Sequence, residues 1–188
     1  MSSSNASRLV RAALALALAG MTAGCFQPLY GSGSSGPTAS SAPGIADKLS
    51  AVEVLPIDAP NGTRTSRIGV EVRNDLISNL TGGGPAAATA YNLKISISAS
   101  TRQVIVDINS ARPEIQNYGL NATYTLTEVG TGKVLFSSQT FSRVSYNIPG
   151  QEQRFAGDRG LRDAENRAAK VIADQIRDRL ASYFVAGT

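Results

Sequence analysis

The chain has 188 residues, with 18 Lys and Arg against 14 Asp and Glu, a single cysteine and no histidine. Without imidazole there is no His-based triad, no His-ligated metal and no imidazole acid–base catalysis, and one thiol cannot build a zinc site. No block of like charge and no RNA-binding signature accompanies the modest positive balance, which argues against a nucleic-acid partner.

The first segment reads as an address. Arg8 and Arg11 make a positive start, Ala12–Gly20 an apolar stretch, and Thr22-Ala23-Gly24 a small-residue run where a signal peptidase would cut. Residues 12–24 are uncharged but too few for the roughly 20 that span a bilayer. A cleaved signal peptide over 1–24 is therefore expected, cut between Gly24 and Cys25. An odd thiol in an exported chain must pair outside itself or be modified. A cysteine that becomes the new N-terminus is the diacylglycerol acceptor of bacterial lipoproteins, and "TAGC" fits that box except that Thr22 replaces the usual bulky apolar residue. The other reading is an ordinary secretory signal with an incidental cysteine. A covalent lipid on Cys25 would bring two or three acyl chains, palmitate among them, a lasting membrane hold where one chain is marginal. Loss of Arg8 and Arg11 leaves the mature chain close to neutral.

From Gly31 to Gly44 every residue except Thr38 is Gly, Ser, Ala or Pro, a composition that cannot bury a core. Residues 25–46 are expected to be the lipidated N-terminus and a flexible linker reaching roughly 20 Å. The folded domain is expected over 47–188. Lys48–Ile57 reads as a strand with Val52 and Val54 on one face, stopped by Pro56 and Pro60. Ile68, Val72, Leu76 and Leu80, with Ile77 beside them, make one helical stripe, capped by Thr65 or Ser66 and ended by Gly82–Gly84.

From Tyr91 the period becomes two. Tyr91, Leu93, Ile95, Ile97 and Ala99 alternate with Asn92, Lys94, Ser96 and Ser98, and the phase shift to Val104 and Val106 suggests a bulge or a strand break. How residues 100–115 pair stays open. A strand over about Ile115–Thr127, the turn Glu128–Lys133 and a strand over Val134–Tyr146 form an antiparallel hairpin. Asp158–Phe184 reads as an amphipathic helix about 40 Å long. Its stripe is Leu161, Ala164, Ala168, Val171, Ile172, Ile176, Leu180 and Phe184, with Asp163/Arg167 and Asp174/Arg177 as ion pairs. The order β-α-β-β-β-α predicts an α+β two-layer sandwich, about four mostly antiparallel strands with two helices packed on one face.

No catalytic constellation emerges, no metal ligands cluster and no cofactor motif appears. "GTGKV" (Gly130–Val134) ends like a phosphate loop, yet Thr127 and Val134 stand where Gly and Ser or Thr are needed, and it joins two strands. The informative feature is the sheet face that the helices leave uncovered. It carries Asn92, Lys94, Ser96, Ser98, Asn121, Thr123, Thr125 and Thr127, small and polar with little charge. An ordinary solvated face usually holds more Lys and Glu; a surface that packs on another polar wall, such as the lumen of an outer-membrane barrel, suits this composition. Ser96, Asn121, Thr123 and Thr125 are the candidate partner contacts.

"CFQPLYG" after the lipid box resembles the opening of the LPS-assembly lipoprotein family LptE, where "CGFQPLYG" is common; here the first Gly is missing. The strand ending "VEVLPI", the helix "RIGVEVRNDLISNL", the stretch ending "YTLTEVGTG" and "RDAENRAAKVIADQIRDRLASYF" follow in matching order. The resemblance implies a two-helix, four-stranded sandwich, non-enzymatic and without a cofactor. It would be anchored in the outer membrane, facing the periplasm and the lumen of the LptD β-barrel as plug and assembly partner, and would contact lipopolysaccharide. That polyanion requires cations, and Arg112, Lys133, Arg143, Arg154 and Arg159 are the candidates. Two other functions stay open: a periplasm-facing scaffolding lipoprotein with no lipopolysaccharide role, and a membrane-tethered hydrolase.

Overall fold

The computed structural model describes residues 44–106, 113–148 and 154–186, which from Ile45 on belong to one unit, Ile45–Thr188. Its elements are α1 (Ile45–Ser50), β1 (Val52–Val54), α2 (Arg64–Thr81), β2 (Tyr91–Val106), β3 (Pro113–Glu128), β4 (Val134–Asn147) and α3 (Arg154–Ala186). The strands lie in the order β1-β2-β3-β4, with β1 parallel to β2 and the other pairs antiparallel. Helix α2 packs over β1 and β2, and α3 over β3 and β4. This is the α+β sandwich that the changes of period predict, with one short helix added.

That addition is a correction. Lys48–Ser50 ends a helix rather than starting a strand, and extended pairing is confined to Val52–Val54. Ser50 Oγ donates to the Asp47 carbonyl at 2.9 Å, a local bond that closes the turn. Six residues make under two turns, too few for a 3.6-residue period to show. Val52 and Val54 do share the buried face.

Helix α2 buries Ile68, Val72, Leu76 and Leu80 as its period requires. Its cap is Thr63, not Thr65 or Ser66: the Thr63 hydroxyl accepts from the Ser66 N–H at 3.2 Å. At the other end Gly82 takes φ 62°, a left-handed stop that a Cβ would strain. A Cβ on Gly69 would meet Ile57 at 3.3 Å, so glycine sets the close approach of this helix to the β1 side.

Strands β2 and β3 pair from Tyr91↔Glu128 to Val106↔Pro113, and the register slips between Gln103 and Val106. The slip accounts for the phase change at Val104 and Val106 without ending the strand. Leu93, Ile95, Leu120, Ala122, Tyr124 and Leu126 are buried under the helices. Ala99 shares that phase and is exposed, because the hairpin continues past the helical layer above β2.

Helix α3 extends over 33 residues, beyond both expected ends. Ala164, Ala168, Ile172, Ile176 and Leu180 are buried, together with Glu165, Ala169, Ala173 and Ala181, whereas Val171 is 39% exposed. The Asp163–Arg167 pair forms at 2.7 Å. Asp174 instead accepts from Asn79 Nδ2 of α2 at 2.9 Å, and Arg177 pairs with Asp178. Arg67 and Asn79 of α2 meet Glu165 and Asp174 of α3 in the same chain order, so the two helices run parallel. Their N-termini share one end of the fold. At the opposite end Tyr91 packs on Phe184 with ring centroids 5.1 Å apart, and Phe136 on Tyr183 at 4.8 Å.

Candidate functional site: an open polar face and an arginine-lined cleft

Alternation in β2, β3 and β4 sends one set of side chains into the helical layer and the other to the free side of the sheet. On the free side the register aligns Lys94 with Thr125 and Ser137, Ser96 with Thr123 and Gln139, and Ser98 with Asn121 and Phe141. Ser96, Asn121 and Thr123 are exposed, and Thr125 is half-buried because its hydroxyl lies 2.9 Å from that of Ser137. The structure therefore brings the four candidate partner contacts together in adjacent rows of one face. Phe141, 64% exposed, stands among them as a lone aromatic. Gly119, opposite Arg143, keeps the floor low: a Cβ there would meet Ser100 Oγ at 3.0 Å.

The basic candidates do not form one cluster. Lys133 lies at the β3–β4 turn, while Arg159 sits inside α3 beyond the far end of β4, about 45 Å of strand away. Arg143 is exposed on the free sheet face, across the sheet from the helices. Arg154 is the first residue of α3. Arg112, the lipidation candidate Cys25 and the cleavage pair Gly24–Cys25 lie outside the described residues, as do the signal peptide and nearly all of the linker.

Arg159 instead has neighbours that periodicity did not single out. Between the N-terminal parts of α2 and α3 lies a cleft of about 420 Å³, lined by Arg64, Arg67, Arg159, Arg162, Asp158 and Glu165, with Phe155 and Leu161 at its side. Glu165 is only 4% exposed. Its carboxylate accepts from Arg67, whose other terminal nitrogen donates to Asn166 Oδ1 at 3.1 Å. One signal for this was present in the sequence: Glu165 stands in phase with Leu161, Ala168 and Ile172, a carboxylate on an apolar stripe that requires a buried partner.

Beneath this pair lies Tyr118, its hydroxyl buried with no hydrogen-bond partner among the described residues. Burial pushes its pKa up to about 12, with the Glu165 charge adding to the rise and Arg67 and Arg64 opposing it. Tyr146 is also raised, first by burial, and donates to Gln116 Oε1 at 2.5 Å. Among the described residues no group of acidic or thiol side chains could hold a metal ion, and no helix is long and apolar enough to cross a membrane.

The family model described as LptE, lipopolysaccharide-assembly, matches residues 49–180. A comparison with curated proteins finds no match. Among solved structures, one from Caulobacter crescentus CB15 superposes with a TM-score of 0.59 at 19% identity, covering 76% of this chain and 96% of its own. The rare lipoprotein B of Shewanella oneidensis superposes with a TM-score of 0.51 at 14% identity, covering 71% of this chain and 96% of its own. At these identities the two structures speak for the fold.

Proposed function

We propose a function from one premise: the chain belongs to the LptE family of lipopolysaccharide-assembly proteins. The mature protein is an outer-membrane lipoprotein, held by lipid on Cys25, whose domain 47–188 enters the lumen of an LptD-type β-barrel. There it acts as plug and assembly partner and contacts lipopolysaccharide on its way to the outer leaflet. Its part is binding and positioning; no catalytic step is assigned to it.

The observation that carries this reading is the free sheet face. Across its central rows Lys94 is the lone charge among the β2 and β3 side chains, the others being Ser, Thr and Asn. Such side chains satisfy hydrogen bonds against the polar interior of a barrel without stranding a charge when water is expelled. Arg143 at the edge of this face offers a guanidinium fork to phosphate oxygens.

The test is co-purification of the barrel with the tagged lipoprotein carrying Thr125→Arg, beside a circular dichroism melt of the free variant. Thr125 points away from the core, so the variant is expected to fold normally and to lose the barrel. Normal folding with normal co-purification would show that the face is solvated and would overturn the plug assignment.

A further inference from the structure

We infer that the cleft between the N-terminal parts of α2 and α3 is a binding site for a phosphate-bearing ligand, held by Arg64, Arg159 and Arg162. The argument starts from charges placed against their helices. A helix N-terminus favours anions, and Asp or Glu usually occupies its first turn. Neither α2 nor α3 has an acidic residue there. Helix α2 opens with Arg64, which works against its own dipole. Because the helices run parallel, both positive ends converge at one end of the fold.

The cleft's own balance has the same sign. Four arginines line it against two carboxylates, Asp158 and Glu165. Glu165 is already engaged by Arg67. Arg64, Arg159 and Arg162 are exposed and make no hydrogen bond or ion pair with the described residues. Three guanidinium groups with no hydrogen bond or ion pair among the described residues, around a concavity of about 420 Å³, suit an oxyanion with several acceptor oxygens. The Tyr118 hydroxyl provides an independent sign of an incomplete polar network. It is 97% buried and has no partner among the described residues, and the charges that act on it belong to Glu165, Arg67 and Arg64 of the cleft lining. Phe155, 86% exposed, and Leu161 add an apolar lip, so the phosphate can belong to an amphiphile.

As an anion site the cleft stands on this geometry; as part of the lipopolysaccharide contact it rests on the function proposed above. The experiment uses the full mature chain and three probes. Inorganic pyrophosphate represents a free phosphate, phosphatidylcholine vesicles with and without phosphatidic acid represent a lipid headgroup, and lipopolysaccharide micelles represent the proposed cargo. The double variant Arg64→Gln/Arg162→Gln is compared with wild type and with Lys170→Gln, an exposed cation of α3 outside the cleft lining. The expected result is pyrophosphate binding weakened about tenfold in the double variant and unchanged in Lys170→Gln. Parallel loss of phosphatidic acid and lipopolysaccharide binding supports a lipid headgroup as the source. Loss confined to pyrophosphate supports a free phosphate and overturns the headgroup. If the double variant melts lower than wild type, Arg159→Gln carries the comparison. A folded variant that keeps pyrophosphate affinity, or a wild type that never binds it, overturns the site. Pyrophosphate binding without lipopolysaccharide binding leaves the site standing and removes the cargo from the proposed function.

Discussion

Tyr118 shows how one side chain ties stability to pH. Its hydroxyl is buried without a partner among the described residues, so the ring contributes apolar packing while the oxygen contributes only a desolvation cost. With the folded-state pKa raised from 10.0 to about 12, the neutral form is the one the fold favours. The associated stability is fully present below pH 10 and is lost as the pH rises toward 12, since the unfolded chain releases the proton first. Tyr118→Phe should therefore melt at or slightly above the wild-type temperature at neutral pH. Between pH 10 and 12 it should lose less than wild type does. Thermal melts of both proteins at neutral and alkaline pH make the comparison. A clear drop for Tyr118→Phe at neutral pH would mean that the hydroxyl has a partner in solution.

Along α3, adjacent positions have opposite fates. Ile172 is fully buried and Val171 is 39% exposed, although both fit the same apolar stripe in the sequence. The deciding factor is α2, which approaches the alanine side of α3 at Ala169 and Ala173 and turns Val171 outward. Small residues let the helix backbones come close, and a hydropathy pattern gives alanine too little weight to predict it. Ile172→Asp should cost about 4 kcal/mol or more, combining lost packing with a carboxylate that has no partner in the core. Val171→Asp should cost under about 1 kcal/mol. Urea unfolding of the two variants measures the difference, and similar costs would mean that the helix is rotated from the orientation described. The same element scale accounts for the strand expected from Lys48, which begins only at Val52. Leu49 is the single buried residue of α1, and one apolar position defines no period.

For the whole molecule, the proposed anchor and the folded unit make separable demands. Cys25 is the only thiol in the chain. Cys25→Ser should leave an uncleaved or unlipidated precursor whose domain folds as before, because only the thiol accepts the diacylglycerol. Mass spectrometry of the membrane fraction is the check; unmodified mature wild-type protein would remove the anchor from the proposal. The Thr125→Arg comparison belongs to this scale as well, since it weighs a face that is idle in the free domain against a partner wall.

Local chemistry was enough for the signals that repeat within a segment. Two-residue alternation outlined β2, β3 and β4 and the polar composition of their free face, and the four-residue spacing from Ile68 to Leu80 outlined α2. The leader expected to end at Cys25 is likewise argued from contiguous residues, as such addresses are. The cleft was not visible in this way. Arg64 and Arg162 are 98 positions apart, and each alone reads as a solvated surface charge. Their convergence depends on the parallel course of α2 and α3, set by the sheet face that both cover and by the Arg67–Glu165 and Asn79–Asp174 contacts. Periodicity reports which side of an element is apolar, but not which neighbour covers it; that depends on how the elements close-pack around a shared core.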